Sequence, residues 1–250
     1  MAVIQINLGI LYRQKGLYEK SLQYLLSASA VLEKAEPSPN LATCYNAIGN
    51  LYGKLGEHSS ALDYHYKALA VRRKLNFKSS MSSSYNNIGN VYLTLNQFDS
   101  ALNNFQKSLA LKRELSDLGG QGISLNNIGE LLIKTGKLRE AEGLLKQALN
   151  IRLQTKEKVG ALITRTNLAH LYMLKGNLDE AERELKRCEE MSSSLGLVDQ
   201  LKEVYELQVK LNESSGNLDK ALYYSQQLLV VKDSLLNREK AQSLAEMQTR

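Results

Sequence analysis

The chain has 250 residues, 23% of them charged, with 13 tyrosines, no tryptophan, two prolines, two cysteines and a formal net charge of +6. Two lone cysteines exclude a disulfide framework, and no apolar run approaches the length of a membrane span. From the N-terminus, Met1-Ala2-Val3-Ile4 opens inside a first helix with no cap, basic leader or cleavage site, the look of a piece cut from a longer chain. Leu8-Gly9 follows, then Ile48-Gly49, Ile88-Gly89, Ile128-Gly129 and Leu168-Ala169, a spacing of 40 residues. Three residues after each Gly or Ala stand Tyr12, Tyr52, Tyr92, Leu132 and Tyr172, and seven after stand Gly16, Gly56, Asn96, Gly136 and Gly176. Twelve after stand Ser21, Ala61, Ala101, Ala141, Ala181 and Ala221, the last marking a sixth copy around Val209. An internal period of this length is the signature of a solenoid.

Within Cys44 to Leu55 and Ala61 to Leu75 the apolar residues fall at helical spacing, and the Gly between them marks a turn. Each repeat is therefore a helical hairpin. Gly49 and Ala61 are small because two helices cross closely there, and the Tyr, Leu and Ile positions supply buried area worth roughly 1.5–3 kcal/mol per large side chain. One hairpin cannot cover both of its apolar faces, so neighbours stack and share a core.

The pattern of a large residue, then Leu-Gly or Ile-Gly, Tyr, Ala, a large and a small residue resembles the tetratricopeptide repeat. Its best copies are Tyr45, Ile48, Gly49, Tyr52, Ala61, His65 and Ala68, and Tyr85, Ile88, Gly89, Tyr92, Ala101, Phe105 and Ser108. The family's usual closing Pro is replaced here by Arg73, Arg113 and Leu153. The second helix is thus expected to run on by about a turn and a half, before turning near Asn76, Ser116, Lys156 and Gly196. The longer unit is similar to the repeats of Leu-Gly-Asn adaptors and kinesin light chains, and Ile48-Gly49-Asn50 and Ile88-Gly89-Asn90 carry that signature. The resemblance implies an all-α fold, a right-handed α-α superhelix of about six hairpins centred on Gly9, Gly49, Gly89, Gly129, Ala169 and Val209. We expect one solenoid domain over 1–235 and a helical extension over 236–250.

Catalytic and cofactor chemistry finds no anchor. Cys44 and Cys188 read as buried free thiols. His65 takes the large core position of Phe105 and Leu145, and His58 stands seven residues before it with no carboxylate or thiol at metal-ligand spacing. Gly119-Gly120-Gln121-Gly122 lacks the strand and the Lys-Ser/Thr of a phosphate loop and reads as the turn before the fourth repeat. No enzyme activity, cofactor or metal is expected. Residues 41–120 hold 9 Lys/Arg against 5 Asp/Glu and residues 121–200 hold 12 against 11, so the basic excess fades along the chain. Arg72, Arg73, Lys74, Lys112 and Arg113 lie near helix C-termini, where cations complement the dipole. A basic stripe with stacking aromatics is missing, and nucleic acid is not expected as a partner.

What remains is a surface. The resemblance implies that first helices line a groove, with the residues three before and one after each Gly pointing into it. The first set is Asn46, Asn86, Asn126 and Thr166, and the second is Asn50, Asn90, Glu130 and His170. Ile6 and Ile10 begin these ladders, and Glu206 and Lys210 end them. Five of the eight central residues are Asn, a poor residue for a helix interior. Two readings stand: solvent-facing residues inherited by duplication, or an amide ladder that clamps the backbone of an extended peptide. The ladder is the reading taken, with Leu93, Ile133 and Met173 from the next turn as side-chain pockets. Lys54 and Lys134 at the groove's edge, with the basic excess, suggest a protein or peptide partner that has some acidic residues. No contact of this segment with a membrane is expected.

Beyond Ala221 the helical spacing continues through Leu228, Val231 and Leu235 toward Arg250, either as a cap or as a connector to further domains. Val231-Lys232-Asp233-Ser234-Leu235, Arg238-Glu239-Lys240 and Ala245 to Thr249 resemble the join in Bacteroidetes-type membrane sensors, where such repeats precede a histidine kinase or DNA-binding output. Two functions follow: a scaffold that holds a partner's peptide, or the sensory input of a signal-transduction protein. The location is cytoplasmic by default, and outside the cytoplasmic membrane if the parent is such a sensor.

Overall fold

Every stretch that carries a Tyr, Leu or Ile at each third or fourth position is a helix, and the helices alternate with turns of constant length. In the computed structural model, which describes residues 1–248, α1 (Ala2–Gln14) and α2 (Tyr18–Leu32) form the first hairpin. The second is α3 (Pro39–Lys54) and α4 (His58–Lys74), the third α5 (Lys78–Thr94) and α6 (Phe98–Glu114). The fourth is α7 (Leu118–Lys134) and α8 (Leu138–Gln154), the fifth α9 (Lys158–Leu174) and α10 (Leu178–Leu195), and the sixth α11 (Val198–Ser214) and α12 (Leu218–Gln248). Thr249 and Arg250, and the side chains of Glu239 and residues 242–248, lie outside the description, as does the sequence match at Ala245 to Thr249. Among the described residues there is no strand, and the fold class is the all-α superhelical repeat fold. No described helix is long and apolar enough to cross a membrane.

The turns share one geometry. A residue with positive φ stands at Gly16, Gly56, Asn96, Gly136, Gly176 and Gly216 within hairpins, and at Asn76, Ser116, Lys156 and Gly196 between them. At each, the next backbone N–H reaches back five residues, as Glu57 to the carbonyl of Tyr52 and Phe77 to that of Arg72, at 2.9 and 3.0 Å. This is the Schellman closure of a helix end. The link between the first and second hairpins differs: Ser38 caps α3, its hydroxyl accepting from the Leu41 N–H, and Pro39 opens the helix. Gly119 to Gly122 are not a turn. They form the first turn of α7, because the left-handed residue is Ser116, and a Cβ on Gly122 would touch Ile151 and Arg152 of α8.

Within each hairpin the Gly of the first helix makes room for a large side chain of the second. A Cβ on Gly9, Gly49, Gly89 or Gly129 would lie 2.5, 2.8, 2.6 or 2.7 Å from Leu25, His65, Phe105 or Leu145 respectively. Those four side chains are buried, with Ala28, Ala68, Ala148 and Cys188 at the small positions beside the next hairpin.

The chain divides into two compact units, one built on Met1–Asp117 and one on Leu118–Ser243. In the first, α1 touches α3 and α3 touches α5, whereas α2, α4 and α6 do not touch one another. In the second, α7 touches α9 and α9 touches α11, while α8 and α10 stay apart. Each unit therefore bends with its first helices on the inside.

Candidate functional site

The two sets of polar residues on the first helices have different fates. Asn86, Asn126 and Thr166 are 8%, 4% and 5% exposed, and Asn46 is half-buried. Asn46 and Asn126 are engaged by the neighbouring first helix. In the first unit the Asn87 Nδ2 donates to Asn46 Oδ1 at 2.9 Å, and in the second the Asn167 Nδ2 donates to Asn126 Oδ1 at 3.1 Å. Thr166 Oγ1 donates to the Leu162 carbonyl at 3.1 Å. Packing thus accounts for Asn46 and Asn126: they brace one hairpin against the next, and their Oδ1 atoms accept inside the protein. Asn87 and Asn167 lie outside a ladder drawn at fixed offsets, although Asn87, Asn127 and Asn167 recur at the 40-residue period, which is a signal for them.

One helical position past the Gly, the side chains are more open. In the first unit Asn50 is half-buried and Asn90 exposed, with Lys54 exposed one turn on. In the second unit Glu130 is half-buried, and His170, Lys134 and Lys210 are exposed. Burial raises the Glu130 carboxyl above its usual range, with Lys134 opposing, and burial together with Lys210 and Lys134 lowers the His170 imidazole. Leu93 and Ile133 are buried and Met173 half-buried, so Leu93 and Ile133 serve the core more than the groove.

The first unit holds a cleft of 420 Å³ on its inner face. Asn50, Gly53 and Lys54 of α3 form one wall, and Asn87, Asn90 and Thr94 of α5 the other. His58 and His65 of α4 close it from below. It brings together three of the residues singled out by the sequence, Asn50, Asn90 and Lys54, and adds Gly53, Asn87 and the two histidines.

The remaining reactive groups are interior. Cys44 Sγ donates to the Leu25 carbonyl at 3.2 Å, and burial, with Glu33 nearby, pushes its thiol up to about 12. Burial likewise lifts Cys188 to about 11, so both stay protonated and are poor nucleophiles. Arg72, Lys112 and Arg152 are buried rather than aligned on the surface. Arg72 Nη1 donates to the Ser80 carbonyl and to Ser84 Oγ, tying α4 to α5, and Arg152 fills the space that Gly160 leaves. Among the described residues no three His, Cys, Asp or Glu side chains stand close enough together to hold a metal ion.

A family model described as the tetratricopeptide repeat matches residues 1–74 and 80–154, and a second of that description matches 164–195. No curated protein matches the chain. Among solved structures, the chain is similar to a signal-transduction ATPase with numerous domains and a tetratricopeptide repeat sensor from Pyrococcus horikoshii. The TM-score is 0.73 at 19% identity, covering 92% of this chain and 35% of that one. A Rap protein complexed with competence and sporulation factor gives 0.69 at 16% identity, over 94% of this chain and 75% of that one. A putative kinesin light chain from Podosopora anserina with nearly identical repeats gives 0.60 at 20% identity, over 76% and 94%. At such identities the likeness is one of fold.

Proposed function

This chain belongs to the tetratricopeptide repeat family, and we propose that it holds an extended segment of a partner protein on the inner face of its first unit, between α3 and α5. It is a repeat scaffold for protein–protein interaction and not an enzyme, and its partners are proteins or peptides. The observation that carries the finer reading is the cleft whose two walls present Asn50 and Asn90 at equivalent positions of successive hairpins. An amide both donates and accepts, so a pair at this spacing grips peptide backbone without dictating side chains. About four such hydrogen bonds at roughly 0.5–1.5 kcal/mol each supply a few kcal/mol. Micromolar affinity is about −8 kcal/mol, so contacts with the segment's side chains must add to them. Lys54 gives the cleft a positive edge and favours a segment with acidic residues.

The test is selection of displayed random linear peptides on the whole protein, followed by Asn50→Ala with Asn90→Ala. The double variant is expected to weaken the selected peptides at least about tenfold with little change in melting temperature. Unaltered binding would refute the clamp. The Rap protein's complex and the ATPase's repeat sensor favour a second reading, in which this segment is the sensory input of a signal-transduction protein such as a histidine kinase or DNA-binding regulator. Sequencing the gene past Arg250 tests it: an in-frame output domain supports that reading, and an immediate stop codon removes it.

A further inference from the structure

The last helix departs from the second helices before it in length and in what it leaves open. α12 is 31 residues long, whereas no other described helix exceeds 18. It does not turn at the register of Asn76, Ser116, Lys156 and Gly196 but continues in helix through Leu236. Leu218, Leu222, Leu229 and Leu236 are 70%, 61%, 61% and 46% exposed. At 3.6 residues per turn these four lie within about 40° of one another, a single stripe about 27 Å long. Earlier hairpins cover side chains at these positions. Leu69, at the register of Leu229, is 2% exposed and packs with Tyr85 and Ile88 of the following hairpin, and Leu62, at the register of Leu222, packs against the same group. The fifth hairpin holds Glu182 and Glu189 there instead. α12 returns to leucine at both, and the residues that follow Leu236 stay in the same helix rather than folding back over them.

We propose that this stripe is covered by α12 of a second copy of the chain, the two helices lying side by side about a two-fold axis with Leu229 near its middle. Three observations select this occupant. Leu222, Leu229 and Leu236 are seven residues apart, the spacing at which two helices stay in contact at a shallow angle. The stripe reaches past the end of an ordinary hairpin helix, so its cover must be long, and α1, which also exposes Ile4 and Leu11, spans only about 20 Å. A face that pairs with itself closes as a dimer, whereas α12 against α1 of the next copy would leave an end open and grow. Four leucines a side are few against the roughly 20–30 residues a side of a stable complex, so the pair forms and parts with protein concentration. The pairing does not depend on the peptide reading; where both hold, a partner meets two first units at once, and avidity follows.

Sedimentation velocity on the whole protein from about 1 µM to about 1 mM is expected to show monomer passing to dimer. Leu222→Glu with Leu229→Glu copies the fifth hairpin at both positions. That variant is expected to keep the wild-type melting temperature at dilute protein, where the copies are apart, and to stay monomeric at the highest concentration. A second readout is covalent. Cys44 and Cys188 are buried, so under mild oxidation Leu229→Cys is expected to give a disulfide-linked dimer. Val230→Cys, equally open but about 100° round the helix, is not. Wild type that stays monomeric throughout overturns the pairing. So does a dimer that survives the double substitution or crosslinks equally at both positions, since the copies then meet elsewhere. Oligomers that grow beyond the dimer without the Leu229 crosslink would place α1 of the next copy on the stripe, and overturn it as well.

Discussion

His65 sits where Phe105 and Leu145 fill the neighbouring hairpins, and an imidazole meets there a desolvation that a phenyl ring does not. Burial, with the Arg72 cation adding to it, lowers its pKa from 6.5 to about 4. His58 and Lys54 are the other ionisable groups lining its cleft. The folded protein therefore takes up this proton later than the unfolded chain does as pH falls. Its contribution to stability is whole above about pH 6.5 and declines as pH drops toward 4, where the loss levels off at up to about 3 kcal/mol. Urea unfolding across that window should show the decline in wild type and a shallower one in His65→Phe; parallel curves would mean that the imidazole is not desolvated. The sequence placed His65 in the core correctly, because its register equals that of Phe105. It gave no sign of the opening, because Gly53 lies on the preceding helix and only the crossing of α3 and α4 sets the two together.

Helix ends are where the local chemistry is most uniform. Ten turns among the described residues use one left-handed residue each, six of them Gly and four Asn, Ser or Lys. A Cβ on Gly136 would meet nothing within 4 Å, so the penalty for adding one there is purely conformational, at φ +75. Gly136→Ala is expected to cost about 1 kcal/mol. Lys156 holds φ +58, a region that L-residues occupy at a penalty of roughly 1–2 kcal/mol. Lys156→Gly should therefore raise stability by up to about 1 kcal/mol after the added entropy of the unfolded Gly. Opposite signs in thermal melts at these two turns would support the account, and equal signs would defeat it. The turns at Asn76, Ser116, Lys156 and Gly196 were legible without the family's closing Pro, since the helical spacing ran to them and stopped.

At the scale of the molecule, three hairpins build each unit, and each hairpin leans on its neighbours, so the effect of a substitution depends on what flanks it. Leu185 is wholly enclosed in the fifth hairpin, whereas Leu229 and Val230 of α12 are more than half exposed. Leu185→Ala is expected to lose about 2–5 kcal/mol. Leu229→Ser with Val230→Ser should stay within about 0.5 kcal/mol, apart from small helix-propensity effects. Comparable losses from both, measured by urea unfolding, would show that α12 carries packing its exposure does not reveal.

The sequence by itself determined the period, the helical hairpins and the turns near Asn76, Ser116, Lys156 and Gly196, because these follow from spacing along one or two adjacent helices, whereas Gly119 to Gly122, read as a turn, are the first turn of α7. Only the tertiary structure decided what the polar residues do. Asn46 and Asn126 became braces, whereas Asn90, at the position four residues on from the first set, is exposed, since the approach of the next hairpin selects which turn of the first helix is covered. Arg72 and Lys112, read in the sequence as cations near helix C-termini, lie buried in the fold, because a long cation can be satisfied by groups that meet it only when hairpins stack. The cleft at Gly53 and His65 belongs to the same class, a property of two helices and not of either one.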